Sequence, residues 1–122
     1  MSYHVPTGTY VVGDPCYYLS DTNYKAWVKQ GFPEGVVNLG SSWMIAYSTG
    51  EEGRFTDSMG HVYGVDSCTI ALIPEILLDP TKFAKHWKLG WVKQWKRPFH
   101  FAHRLGVFTI GTVLLDTNIP TE

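Results

Sequence analysis

Apolar and polar positions alternate along most of the chain, and the pattern predicts strands. Gly8 to Asp14 (GTYVVGD) is rich in β-branched and aromatic residues and runs into Pro15. Pro15 holds Asp14 extended and removes a ladder donor, so a strand is expected to end there. Val36 to Leu39 and Trp43 to Ser48 read as strands turned at Gly40. Phe55 to Ser58 and His61 to Asp66 read as a hairpin about Met59-Gly60, because glycine accepts positive φ. Thr69 to Ile73 (TIALI) is continuously apolar, as in a strand buried on both faces. Val107 to Leu115 reads as one long strand with a bulge at Gly111.

The period changes to a helical one twice. Ser20 or Asp21 can cap a helix reaching about Gln30, with Tyr24, Trp27 and Val28 as its apolar stripe and Gly31 as its stop. Asp79-Pro80 is a second helix start, Asp as N-cap and Pro at the first position. That helix is expected to run to about Leu89, with Phe83 and Trp87 facing the core and Gly90 just beyond its end. Lys85 and Lys88 then sit where the helix dipole favours cations. Pro74 to Leu78 fits a short helical turn, and Trp91 to Lys96 fits either a strand or a continued helix. The expected fold is α+β: a mostly antiparallel twisted β-sheet with two helices packed against it.

Composition narrows the class. A chain of 122 residues is the length of one domain, expected to span 1–122. With 44% apolar and 17% charged residues, it carries too much hydrophobic side chain and too little charge for a disordered polymer. No stretch approaches the roughly 18 apolar residues of a membrane span. Met1 to Pro6 has neither the basic nor the apolar region of a signal peptide. A cytoplasmic protein is therefore expected, with Cys16 and Cys68 as reduced thiols.

The formal net charge of −1 hides a separation of sign. Up to Asp79 there are three cations against nine acids; from Pro80 to Leu115 there are seven cations and no acid. Such separation points to an anionic partner, unless folding returns the acids to the cations as surface pairs. Phe83 to Arg104 also interleaves Trp87, Trp91, Trp95, Phe99 and Phe101 with Lys88, Lys93, Lys96, Arg97, His100, His103 and Arg104. Bases stack on aromatic faces at about 1–3 kcal/mol each, and arginine grips phosphate with two donors. A nucleotide needs both residue types close together.

Two Asp-x-Cys triplets, Asp14-Pro15-Cys16 and Asp66-Ser67-Cys68, each follow a strand segment. In an extended chain each Asp and its Cys would share a face. Two such triplets meeting near His61 would offer metal ligands. Zinc sites, however, usually pair cysteines two to four residues apart, and no such pair is present. The reading therefore favours Asp14 and Asp66 as acceptors of turn hydrogen bonds, with both cysteines packed as small hydrophobes. No metal site is predicted. The chain also lacks a Gly-x-Ser-x-Gly elbow, a P-loop and a His-Glu-x-x-His helix, so the reading leans away from an enzyme and names no catalytic residue and no cofactor.

Gly13-Asp14-Pro15-Cys16-Tyr17, followed by Gly64-Val65-Asp66-Ser67, resembles a family of small phage and bacterial proteins sharing a "GDPCY … GVDSG" pattern. Cys68 stands where that pattern has glycine. The resemblance implies a β-rich fold and a phage or bacterial origin, and brings no activity with it. Small phage proteins often act against host defence, some as sponges for nucleotide signals, which is an analogy of role.

The expectation is a non-enzymatic, sponge-like binder of a small anionic nucleotide such as a cyclic oligonucleotide. Trp91 and Trp95 would stack on bases, Lys93, Arg97 and Arg104 would meet phosphates, and His100 is a further ligand-binding candidate. Tyr17, Tyr18 and Asp66 would line the other wall. The aromatic surplus adds an expected homo-oligomer. The alternatives are a protein that inhibits a host enzyme through the same surface, and a small hydrolase using Asp14 or Asp66 with His61.

Overall fold

The computed structural model describes residues 1–121. One inner strand is β2 (Gly8–Gly13), in which Tyr10, Val11, Val12 and Gly13 are all buried. This strand lies between β7 (Thr69–Pro74) and β8 (Trp91–Trp95). With β3 (Gly35–Leu39) and β4 (Ser42–Ser48) they form a five-stranded antiparallel sheet, ordered β3-β4-β7-β2-β8. A second sheet of four strands orders β1-β9-β10-β11: β1 (Ser2–Val5), β9 (Phe99–Arg104), β10 (Val107–Ile110) and β11 (Val113–Asp116). A separate hairpin pairs β5 (Gly53–Thr56) with β6 (Val62–Val65).

Strand periodicity explains how the five-stranded sheet is covered on both faces. Successive side chains point to opposite sides, so β7 sends Ile70 and Leu72 one way and Ala71 and Ile73 the other, all fully buried. Ile70 and Leu72 join Tyr10, Val12, Ile45 and Tyr47 against Phe99, Phe101, Phe108, Ile110 and Leu115 of the second sheet, with Phe55 and Tyr63 of the hairpin. Ala71 and Ile73 join Val11, Val37, Leu39, Met44 and Ala46 against Tyr18, Leu19, Trp27 and Leu77 of the helical layer. The continuously apolar run is thus the strand shared by two cores.

The helical layer holds the two expected helices and a third, one-turn helix. Asp14 caps α1 (Pro15–Tyr18), so the strand end at Pro15 is also a helix start. Ser20 Oγ accepts from Asn23 N–H to cap α2 (Asp21–Lys29), whose buried anchor is Trp27; Val28 is 37% exposed and adds little to the stripe. Asp79 caps α3 (Pro80–His86), accepting from Thr81 and Lys82 N–H. A 3₁₀ turn at Glu75–Leu77 fills the expected helical segment before it.

Three expectations are corrected. The helix expected to reach Leu89 ends at His86, and Trp87–Leu89 tighten into a 3₁₀ turn. That turn rotates Trp87 outward: it is 55% exposed, not core-facing, with Lys88 Nζ 5.3 Å from its ring centroid. Val107 to Leu115 is two strands, because Gly111 (φ 62) opens a two-residue turn that reverses the chain and pairs Ile110 with Val113. Phe99 to Arg104, read only as part of a binding segment, is the strand that carries the second sheet. Trp91 to Trp95 is strand, with no helical continuation.

Tyr18 ties the layers together. Its ring is fully buried, its hydroxyl donates to His86 O at 3.0 Å, and it lies over Gly13 and Gly90. A Cβ at Gly13 would sit 2.5 Å from Tyr18 Cε2, and one at Gly90 would sit 2.6 Å from both the Tyr18 hydroxyl and Val12 O. The glycines leave the space in which this ring packs. Among the described residues, no helix is long and apolar enough to cross a membrane.

Candidate functional site

Trp91, Lys93 and Trp95 alternate along β8, so their side chains share one face. That strand is the terminal strand of its sheet. Both indoles are partly buried against the core between the sheets, while Lys93 stays exposed. Its Nζ lies 4.4 Å from the Trp95 ring centroid and 5.8 Å from that of Trp91, a cation–π arrangement. Trp95 stacks on Phe99 at 3.8 Å and 13°, and packs against Gly111, where a Cβ would approach within 2.9 Å. Trp91 stacks on His61 at 4.5 Å and 17°.

Beyond Trp95 the chain crosses from one sheet to the other through Lys96, Arg97 and Pro98. The crossing frames a hollow of 520 Å³ lined by Lys93, Gln94, Trp95, Lys96, Arg97, Pro98 and Phe99. Among the described residues, three cations and no carboxylate line it, over an aromatic floor. Among the described residues, one lysine or arginine meets a carboxylate within 4 Å: Lys82, 3.0 Å from Asp21. Among the described residues, the other six cations of the basic segment have no acidic partner at that distance.

The remaining candidates lie elsewhere. Arg104 is exposed at the far end of β9, about 17 Å along the strand from Phe99 at roughly 3.4 Å per residue. His100 projects opposite to the buried Phe99 and Phe101 and contacts His4 (Nδ1 to Nε2, 3.0 Å). Tyr17 and Asp66 line a separate hollow of 350 Å³ that includes Glu52, Arg54 and Leu89. Tyr18, being fully buried, lines no surface. The structure thus brings together Lys93, Trp95 and Arg97, keeps Trp91 beside them, and separates Tyr17, Tyr18, Asp66, His100 and Arg104 from that group.

The two Asp-x-Cys triplets meet, though not as a shared face of ligands. Asp14 is fully buried and its carboxylate accepts four hydrogen bonds. Oδ2 takes the backbone N–H of Asp66 and of Ser67, each at 2.7 Å; Oδ1 takes Cys16 N–H at 2.9 Å and the Ser67 hydroxyl at 2.5 Å. One carboxylate therefore joins the GDPCY and GVDS segments. The carboxylate of Asp66 is exposed, and only its backbone takes part in the junction. Burial, and then the neighbouring Asp14 carboxylate, push the Cys16 thiol far above its ordinary range, which removes it as a nucleophile. No group of three or more His, Cys, Asp or Glu side chains converges among the described residues.

His61 has a carboxylate partner different from those the sequence suggested. Its Nδ1 lies 2.8 Å from Oδ2 of Asp57, which also accepts from Tyr63 Oη at 2.6 Å. Asp57 Oδ1 accepts from the N–H groups of Met59 and His61, each at 2.9 Å. Burial raises the Asp57 carboxyl, but the hydrogen bonds from Tyr63, His61 and Met59 outweigh it and hold the group below the usual carboxylate range. The sequence signal was available in an Asp four residues before a His across a Gly turn. Its effect is to fix the imidazole that backs Trp91.

Comparison with protein-family models, curated proteins and solved structures found no match to this chain.

Proposed function

We propose that the chain binds a small anionic nucleotide at the hollow after β8 and holds it without chemical conversion. The observation that carries this reading is the cluster of Lys93, Lys96 and Arg97, with no acidic side chain beside it among the described residues, around Trp95. Phe99 occupies one face of that indole and the Lys93 ammonium the other. When a phosphate draws Lys93 aside, a base takes the vacated face. Arg97 then grips the phosphate through two donors, and Lys96 adds charge. Trp91, one face taken up by His61, braces the site. The hollow, at 520 Å³, falls within the range that small ligands fill. The role follows by analogy: a sponge that lowers a host's free nucleotide signal.

Calorimetry against mononucleotides, dinucleotides and cyclic oligonucleotides tests the proposal. Saturable binding that weakens with salt is expected, with the nucleotide recovered intact. Trp95→Ala and Arg97→Ala should each abolish it, while Arg104→Ala should leave it unchanged. Normal binding by both site variants, or turnover of the ligand, refutes the reading. Indifference to the whole panel refutes it too, and favours protein docking, because β8 is an open sheet edge with Val92 41% exposed.

A further inference from the structure

A second hollow, of 300 Å³, lies at the other side of the central sheet, where the α2–β3 connection meets the end of β4 and the turn before β7. Its walls include Trp27, Phe32, Glu34, Ser48 and Cys68. It shares no residue with the hollow at Trp95, and no Lys, Arg or His lines it.

Most donors around it are already committed. Ser48 N–H donates to Glu34 Oε2 at 2.8 Å, the Ser67 hydroxyl donates to Asp14, and Trp27 Nε1 donates to Pro33 O at 3.4 Å. The Thr69 hydroxyl donates to Ser67 O at 3.3 Å. What stays open among the described residues is the second carboxylate oxygen of Glu34, the ring of Phe32, the proton of the Ser48 hydroxyl, whose oxygen accepts from Gly50 N–H, and the Cys68 thiol. The one charge lining this surface is the Glu34 carboxylate, beside an aromatic face, so it favours a cationic donor.

Two of its residues sit in backbone conformations that side chains disfavour. Phe32 has φ 54 and Cys68 has φ 56. Asp14 accounts for Cys68: by gripping the N–H groups of Asp66 and Ser67 it forces the tight reversal in which the next residue turns left-handed. Phe32 stands edge-to-face on the buried Trp27 at 4.9 Å and 82°, yet remains 47% exposed. Phe32 closes the end of α2, its N–H donating to Trp27 O while Gly31 N–H donates to Val28 O, and its contact with Trp27 accompanies that cap. The exposed half of its ring leaves a face free to meet a cation, which is attracted to it.

We infer that this hollow binds the cationic head of a small alkylammonium or alkylguanidinium compound, with Glu34 accepting its N–H groups and Phe32 covering the charge. The two halves of the chain's Asp-x-Cys pattern then have a joint purpose, since the Asp14 junction builds one wall of the hollow.

An amide NMR titration at constant ionic strength tests this, with propylammonium and propylguanidinium as probes and propanol and propionate as neutral and anionic comparators. Saturable shifts are expected at Ser48, Cys68 and the Trp27 indole N–H with both cations. Propanol should bind about tenfold more weakly or less, the scale of one charge-assisted hydrogen bond, and propionate should not bind. Glu34→Gln, an exposed substitution that leaves the fold intact, should weaken both cations by about tenfold. Phe32→Gly should weaken them while preserving the circular dichroism spectrum, and Trp95→Ala should have no effect. Equal affinity for propanol, shifts that do not saturate, or an unchanged Glu34→Gln variant would each overturn the inference.

Discussion

Asp14 and Asp66 head triplets of the same form, and the structure expects opposite consequences from removing their charges. Asp14→Asn is the sharpest perturbation, because it keeps size and shape. The asparagine oxygen can still accept two of the four hydrogen bonds now made by the carboxylate. Its amide, a donor, then faces the other two donors. Each bond to a buried charged acceptor is worth about 1.5–3 kcal/mol, and an abandoned buried donor costs a comparable amount. Losing two gives about 3–6 kcal/mol, against a whole-domain stability of about 5–15 kcal/mol. At roughly 3–5 °C per kcal/mol for a chain of this size, the melting temperature should fall by about 10–30 °C. Asp66→Asn changes only an exposed carboxylate and should stay within about 0.5 kcal/mol of the parent. Urea unfolding of the three proteins, monitored by tryptophan fluorescence, measures both effects on one scale. A loss below about 1 kcal/mol for Asp14→Asn, or an equal loss for Asp66→Asn, would refute the assignment of the junction to the buried carboxylate.

Two other outcomes follow. Burial lowers the pKa of His103 below its ordinary value, so near and below pH 6.5 the unfolded chain binds more protons than the folded one. The urea midpoint should therefore fall as pH drops from 8 to 5, and His103→Phe should flatten that dependence; a pH-independent midpoint in the parent would contradict it. Leu105 sits at φ 50 before Gly106 at φ 80 in the β9–β10 turn and is 80% exposed. Leu105→Asn creates the Asn-Gly pair this turn favours and should raise stability by about 0.5–1 kcal/mol, read by thermal melting; a loss would show that the exposed leucine side chain contributes contacts.

How far the sequence could be read depended on whether local chemistry or tertiary placement decided the outcome. Ser20 and Asp79 cap helices because a cap needs only its own next few residues, so both starts were visible. The apolar run of β7 announced burial on two faces for the same local reason. Val107 to Leu115 misled because a glycine within a β-branched run fits a bulge and a tight reversal alike, and only pairing of β10 with β11 chooses between them. Phe99-His100-Phe101 alternates as a strand should, but its histidines and neighbouring arginines drew the reading towards ligand contacts. At the site, the cluster of Lys93, Trp95 and Arg97 lies within one strand and its exit and was readable. Tyr17, Asp66 and Arg104 were grouped with it from chemistry alone, and distance in the fold separates them. The Asp14 junction spans 53 positions to Ser67; the Asp14-Pro15 pair marks a helix cap, but nothing local announces the partners 52 and 53 residues away.

The pairing of β1 with β9, and of β2 with β7 and β8, sets the order in which this molecule can be completed during synthesis. β1 and β2 find their hydrogen-bonding neighbours only among residues made much later, so these strands must wait unpaired while the rest is translated. Contacts this distant slow folding. A translation pause late in the message therefore prolongs the interval in which sticky, unzipped edges are exposed, and chains cut short before residue 91 lack β8, the strand that covers the open edge of β2.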